Sequence, residues 1–129
     1  MSATENLVLQ VNSLTSQYGK VTALNEASIK VAQGHIVTVI GGNGAGKSTL
    51  LNSLMGSLPS NGHCTGEVRY RDRDISGWQV EQRVAHGISL VPETRELFGS
   101  MSVEDNLLLR AFSPLEGASH TACWHAFRR

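Results

Sequence analysis

This chain of 129 residues has few cysteines and no formal net charge. Only Cys64 and Cys123 are present, and two distant cysteines are not the disulfide framework of a small secreted domain, so the composition favours a reducing compartment. Lysine and arginine together number 11, and so do aspartate and glutamate. This neutral balance removes the electrostatic argument for nucleic acid or an acidic lipid surface as a partner.

Long apolar runs are also lacking. No run approaches the roughly 20 residues that a membrane-spanning helix needs. Residues 1–6 do not form the basic and apolar start of a signal peptide. We therefore expect any membrane role to depend on a partner protein. The length of the chain and its hydrophobic share of 40% suffice for one modest domain.

The spacing of apolar residues predicts an α/β chain. Alternation and short apolar clusters predict strands at residues 7–11, 27–31, 35–40, 67–71 and 88–91. Helical spacing predicts one helix after residue 46, a short one that ends at Gly87, and one opened by a capping-box pattern at residues 102–105. Residues 59–66, rich in glycine, serine and asparagine, are predicted to form a loop.

A glycine-rich stretch at residues 41–49 lies between a predicted strand and a predicted helix. It reads Gly-Gly-Asn-Gly-Ala-Gly-Lys-Ser-Thr and contains the complete Gly-x-x-x-x-Gly-Lys-Ser pattern of a phosphate-binding loop. Its glycines allow backbone N–H groups to turn toward a phosphate chain, and the N-terminus of the next helix points at the same phosphates. The less specific alternative is a glycine-rich turn between a strand and a helix.

The loop pattern predicts a role for each residue in a nucleotide site. Lys47 would reach the β- and γ-phosphates, the Ser48 hydroxyl would hold Mg²⁺, and Thr49 would add a donor near the α-phosphate. The predicted nucleotide contacts in the loop are Gly41, Asn43, Gly44, Ala45, Gly46, Lys47, Ser48 and Thr49.

The chain before the loop is unusually long and rich in predicted strands, and Tyr18 lies there in the segment SQYGKVTAL, about two dozen residues before Gly41. This arrangement resembles the ATP-binding subunits of ABC transporters. The resemblance implies ATP and Mg²⁺ as cofactors and an aromatic residue at Tyr18 that stacks on the adenine ring. It also implies an α/β P-loop NTPase fold of the ABC type, in which a small antiparallel β subdomain accompanies an incomplete parallel core sheet.

The segment Thr65–Leu109 resembles one branch of that family, the ATP-binding subunits of branched-chain amino-acid importers. Most ABC proteins have a glutamine after the strand where this chain has Val-Pro-Glu, ending at Glu93. The resemblance therefore assigns Glu93 a catalytic role near the Mg²⁺ ion and the attacking water, since a carboxylate is a hard oxygen ligand. The alternative is a solvated loop carboxylate.

The same resemblance implies protein partners. The loop Thr94–Ser100 would dock on a transmembrane permease subunit through Leu97 and Phe98, although these two side chains could instead fill a local core. A second ATP-binding subunit would complete a dimer. The expected location is cytoplasmic, peripheral at the inner face of the cell membrane.

Motifs that hydrolysis requires in this family are not found in the sequence. There is no Leu-Ser-Gly-Gly motif, no apolar strand ending in Asp-Glu, and no switch histidine after a strand. The hypothesis of an ATPase subunit therefore stands beside that of a non-hydrolysing nucleotide-binding fragment or an inert remnant. A GTPase is disfavoured because the guanine-reading Asn-Lys-x-Asp motif is absent, and a small kinase because an arginine-rich lid is absent.

The resemblance covers residues 7–112, which gives a predicted division into a partial ABC ATP-binding domain at 1–112 and an atypical, irregular tail at 113–129. The tail lacks periodicity, and we expect it to arise from a frameshift or a premature stop. The tail residues His120, Cys123 and His125 lack zinc-type spacing and a fourth ligand, so no metal site is predicted there.

Overall fold

The computed structural model describes residues 6–94 and 97–110, and the chain divides after Arg83 into two units. The first unit holds four strands and helix α1, the second holds helix α3, and helix α2 crosses the division. The elements are β1 Leu7–Tyr18, β2 Val21–Ala32, α1 Lys47–Met55, β3 Gly62–Tyr70, β4 Arg73–Asp74, α2 Val80–Ala85 and α3 Val103–Arg110.

The four strands of the first unit form one antiparallel sheet in the order β2-β1-β3-β4. A tight turn joins β1 to β2 at Gly19, whose positive φ of 58° suits glycine. Strand β1 is paired on both sides, so that Val11 lies opposite Ile29 of β2 and Val68 of β3. Strand β1 is therefore an interior strand of the sheet.

The core of the first unit lies between the sheet and α1. Apolar side chains from the strands, from α1 and from the segment after β4 are buried there. These side chains are Val11, Leu14, Leu50, Met55, Val68 and Ile75. Helix α1 ends at Gly56, whose left-handed conformation and N–H bond to the Ser53 carbonyl are typical of a helix C-cap.

The structure confirms the predicted strands near residues 7–11, 27–31 and 67–71, and all three predicted helices. Strand β3 begins at Gly62, however, so the predicted loop at 59–66 is wrong for most of its length. The physical reason is backbone pairing, since Tyr18 lies opposite Gly62 and Thr15 opposite Thr65. Small and polar side chains in this stretch conceal the strand from a hydrophobic pattern.

Two predicted strands, at residues 35–40 and 88–91, are wrong, because neither segment is a strand in the structure. Ile36 and Ile40 are 96% and 91% exposed. A parallel core strand requires neighbours on both sides and burial on both faces. In the described residues no strand pairs with either segment, and extended apolar sequence alone does not form a sheet. The predicted tail at 113–129, with its three candidate metal ligands, lies outside the described residues.

Candidate functional site

The glycine-rich loop leads directly into helix α1. The helix begins at Lys47, and its N-cap is Gly46, in the left-handed conformation with a φ of 85°. The N-cap offers no side chain to the helix, and the first turn contains no acidic residue. The positive end of the helix dipole is thus not neutralised by its own cap or first turn, which suits the binding of an anion.

Lys47 lies folded back across the loop. Its Nζ donates hydrogen bonds to the carbonyl oxygens of Gly41, at 2.8 Å, and Gly42, at 2.6 Å. A turn bond from the Ala45 N–H to the Gly42 carbonyl, at 3.2 Å, holds the same segment. The loop therefore has a defined curvature, and its only cation is positioned over the loop backbone.

Gly46 brings the loop into close contact with the sheet. A Cβ atom at this position would lie 2.5 Å from the backbone oxygen of Ala23 in β2. The positive φ and the close approach both require glycine here. By contrast, a Cβ at Gly44 would meet nothing within 4 Å, although its φ is also positive, at 81°. Gly46 is thus the contact that positions the loop against β2.

A chain of hydroxyl groups joins β1 to α1. The Tyr18 hydroxyl donates to Thr49 Oγ1 at 3.5 Å, and Ser53 Oγ donates to the Thr49 carbonyl at 2.6 Å. The buried Ser16 hydroxyl lies 2.7 Å from Ser53 Oγ. These bonds place Tyr18 beside the first turn of α1, although 31 residues separate it from Thr49 in sequence.

The first unit thus brings together Tyr18 and the predicted contacts of the loop and of the first turn of α1. The exposed residues there include Asn43, Gly44, Ala45 and Ser48. Glu93 lies in the second unit, exposed in a bend that follows Pro92. Its assignment to the same site stays a prediction.

The described residues contain no cluster of three or more histidine, cysteine, aspartate or glutamate side chains that could hold a metal ion. Mg²⁺ does not need such a cluster, because it binds through one or two protein oxygens together with substrate phosphates and water. Of the predicted ligands, the Ser48 hydroxyl in α1 provides such an oxygen.

Arg83 is a buried residue that the sequence analysis missed. Its guanidinium donates to backbone carbonyls at the end of α1 and in the segment after β4, and its side chain is only 3% exposed. The sequence contains a signal for it, because Arg83 shares the helical face of Val80 and Val84. A charged residue on an apolar helical face calls for a buried polar partner.

The second unit contains an apolar hollow of about 360 Å³ beside α3. Leu97 and Phe98 line it and are 63% and 59% exposed, so they do not form a buried local core. The Asn106 side chain fixes this segment by accepting a bond from the Phe98 N–H and donating to the Phe98 carbonyl. Ser102 opens α3 as predicted, since its hydroxyl accepts from the Asp105 N–H at 3.1 Å.

Comparison with known proteins identifies the family of this chain. Residues 24–128 match the family described as ABC transporter. A high-affinity branched-chain amino acid transport ATP-binding protein of Pseudomonas aeruginosa is 39% identical over 105 residues, which are 81% of this chain and 44% of that protein. A xylose import ATP-binding protein of Histophilus somni is 34% identical over 102 residues, which are 79% of this chain and 20% of that protein.

A solved ATP-binding cassette of an ABC transporter has the same fold, with a TM-score of 0.70 and 29% identity. The match covers 93% of this chain and 46% of that cassette. The chain belongs to the ABC transporter family and has a P-loop NTPase fold with an antiparallel sheet. It spans less than half the length of these relatives. In the described residues, no helix is long and apolar enough to cross a membrane.

Proposed function

We propose that this chain binds ATP as part of the ATP-binding subunit of an importer. The observation that carries the proposal is the start of α1, where an N-terminus without a side-chain cap meets a glycine-rich loop and Lys47. These features supply backbone N–H donors and one cation to a polyphosphate at a single place. Membership of the ABC transporter family supports a nucleotide as the ligand.

Different residues contact different parts of the nucleotide. Lys47 leaves the carbonyls of Gly41 and Gly42 to bind the β- and γ-phosphates, which offer stronger, charged acceptors than neutral carbonyls. The backbone of residues 41–46 surrounds the phosphate chain, and the Thr49 hydroxyl donates near the α-phosphate. Tyr18, held beside Thr49, stacks on the adenine ring.

The Ser48 hydroxyl, together with the phosphate oxygens, would hold the Mg²⁺ ion that accompanies the nucleotide. The chemistry that the ion would supply there is neutralisation of phosphate charge. Glu93 would be a further oxygen ligand of the ion, directly or through water. The relatives with this function have names that specify ATP binding, which supports ATP in preference to other nucleotides.

We assign the importer to the branched-chain amino-acid class. The support is the resemblance at residues 65–109 together with the name of the relative from Pseudomonas aeruginosa. In the assembled transporter the subunit lies at the cytoplasmic face of the membrane, pairs with a second ATP-binding subunit and contacts a permease. Leu97 and Phe98, exposed beside α3, supply the apolar surface for that contact.

Nucleotide binding without hydrolysis is the second candidate function. It is favoured by a sequence observation, since the 129 residues contain no Leu-Ser-Gly-Gly motif and no strand ending in Asp-Glu. Phosphoryl transfer to water depends on positioning and charge stabilisation, and those motifs supply them in the family. Both candidates share the ATP site, and only turnover separates them.

Titration of the chain with MgATP tests the binding proposal. Lys47→Ala should weaken ATP binding by about tenfold or more, because a charge-assisted contact is worth roughly 1.5–3 kcal/mol. Lys30→Ala, which removes an exposed lysine of β2, is the matched control and should bind like the wild type. Equal affinities for the wild type and Lys47→Ala would refute the proposed site.

An ATPase assay on the same three proteins separates the two candidates. We expect phosphate release by the wild-type chain to be no faster than by Lys47→Ala. A rate that depends on Lys47 would instead favour hydrolysis by this chain itself.

A further inference from the structure

Within the described residues, Arg83 donates five hydrogen bonds, and all of their acceptors are backbone carbonyls. Nε donates to the Trp78 carbonyl at 3.1 Å. The acceptors of the terminal nitrogens are Ser53, Leu54, Ile75 and Ser76. A guanidinium group has five N–H donors, so this one has no donor left for an external anion. The group is a connector between protein segments, not a ligand site.

Two segments meet at this guanidinium. Ser53 and Leu54 belong to the last turn of α1, whereas the other three acceptors belong to residues 75–78, which follow β4. Helix α1 has no basic residue in its own last turn, so Arg83 supplies from outside the cation that stabilises a helix C-terminus. Arg83 therefore fixes the C-terminal end of α1 to the segment beyond the sheet.

Gly56 makes this approach feasible. A Cβ atom at Gly56 would lie 3.3 Å from the Nε of Arg83 and 3.4 Å from the Trp78 oxygen. The left-handed C-cap and the guanidinium thus occupy one close-packed position. Burial lowers the pKa of Arg83 from its usual value, yet the group stays charged at neutral pH because an arginine is not deprotonated in proteins.

We propose that Arg83 is a positioning residue for the nucleotide site, which acts by fixing the tilt and register of α1 from its far end. This inference rests on the proposed binding of ATP at the start of the same helix. Helix α1 has nine residues, so a displacement at Ser53 and Leu54 is transmitted to Lys47 along a short and stiff element.

The constraint is mechanical, not electrostatic. Nine residues span about 13.5 Å of helix axis. The charge of Arg83 is therefore far from the phosphate end, and its attraction for an anion falls with distance. Lysine at this position would keep the charge but could not reproduce a planar fork that contacts five carbonyls, so the two explanations make different predictions for Arg83→Lys.

The test measures binding of ATP and of adenosine to the full chain by NMR titration, with urea unfolding as a check on folding. Arg83→Lys and Arg83→Gln should each weaken ATP binding by about tenfold, on the scale of a small misplacement of a binding group. Adenosine binding should change little, because adenosine has no phosphates to contact α1. Arg73→Gln, an exposed arginine of β4, is the control and should match the wild type.

Gly56→Ala provides a second variant in case replacement of Arg83 prevents folding, since it displaces the guanidinium without removing it. It should weaken ATP binding in the same direction. ATP affinity equal to that of the wild type in a folded Arg83→Lys or Gly56→Ala protein overturns the inference. Equal losses for ATP and adenosine also overturn it, because they indicate general destabilisation.

Backbone NMR shifts of residues 44–49, recorded without nucleotide, keep the inference separate from the proposed function. If wild-type chain fails to bind ATP, the proposed function is refuted. The positioning role of Arg83 then stands or falls on whether the shifts of residues 44–49 change in Arg83→Lys. Unchanged shifts in that region would contradict it in either case.

Discussion

Two apolar segments of the first unit, β1 and residues 35–40, have opposite outcomes in the structure. Strand β1 is paired along both edges and buries Val11 and Leu14. Residues 35–40 are at least as apolar, yet they form no strand and leave Ile36 and Ile40 almost fully exposed. Hydrophobic content therefore does not separate the two segments.

The difference lies in how their partners are connected. Strand β1 reaches β2 through a two-residue turn at Gly19 and Lys20, and antiparallel neighbours of this kind form locally. A parallel strand requires neighbours that return through long crossovers. The antiparallel sheet and α1 are thus complete within the described chain, while the segment that leads into the phosphate loop has no strand partner there.

The largest change in stability is expected from a substitution in β1, compared with one in residues 35–40. Leu14→Ala removes a side chain that is 1% exposed and should lower the free energy of unfolding by about 2–5 kcal/mol. Ile40→Ala removes an exposed side chain and should change it by less than about 0.5 kcal/mol. Urea unfolding followed by circular dichroism measures both. A loss in Ile40→Ala as large as that in Leu14→Ala would show that residues 35–40 are packed in solution.

A smaller effect is expected where the loop touches the sheet. Gly46→Ala places a Cβ against the Ala23 carbonyl at a positive φ and should cost about 2–4 kcal/mol of stability. Gly44→Ala has the same kind of φ but open space around it, so it should cost only about 1–2 kcal/mol. Thermal or urea unfolding compares the two variants. Equal losses would mean that the loop is not positioned by β2.

The smallest effect is expected at the far edge of the sheet. The Ser76 hydroxyl and N–H both donate to the Asp74 carboxylate, and these bonds, with the charge of Arg69, hold the pKa of Asp74 below its usual value of 3.8. Because the folded pKa is depressed, this group contributes stability above pH 3.8 and loses the contribution as the pH falls through the folded pKa.

Asp74→Asn keeps an acceptor for the Ser76 N–H but cannot titrate. The stability difference between the wild type and Asp74→Asn should therefore be small at neutral pH and shrink further below pH 3.8. Urea unfolding at a series of pH values measures it. A difference that grows on acidification would contradict the assigned direction of the pKa shift.

Local signals in the sequence predicted the starts of two helices and part of the fold. The contiguous loop pattern located the start of α1, and Ser102 with Asp105 located the start of α3, because both depend on residues close in sequence. Strand β3 was predicted too short, since pairing with β1 and not hydrophobicity extends it to Gly62. Residues 35–40 were predicted as a strand because periodicity does not report whether a partner is present.

Contacts between segments that are distant in the sequence could not be predicted from it. Tyr18 was expected to serve the nucleotide, but its bond to Thr49 emerges only when β1 and α1 pack. The position of Arg83 on the face of Val80 and Val84 was a signal for burial that was overlooked, whereas its partners could not be predicted because they are backbone carbonyls. The roles predicted for Glu93 and for the loop residues remain predictions that binding experiments must test.

Amide hydrogen exchange of the wild-type chain, with and without MgATP, tests the central claim most directly. Without ligand, we expect slow exchange at the paired amides of β1 and fast exchange at residues 36–40. MgATP should then slow exchange within residues 42–50 and leave β1 unchanged. Equal exchange in β1 and residues 36–40, or no effect of MgATP on the loop, would contradict the account of a preformed nucleotide site on a self-sufficient antiparallel sheet.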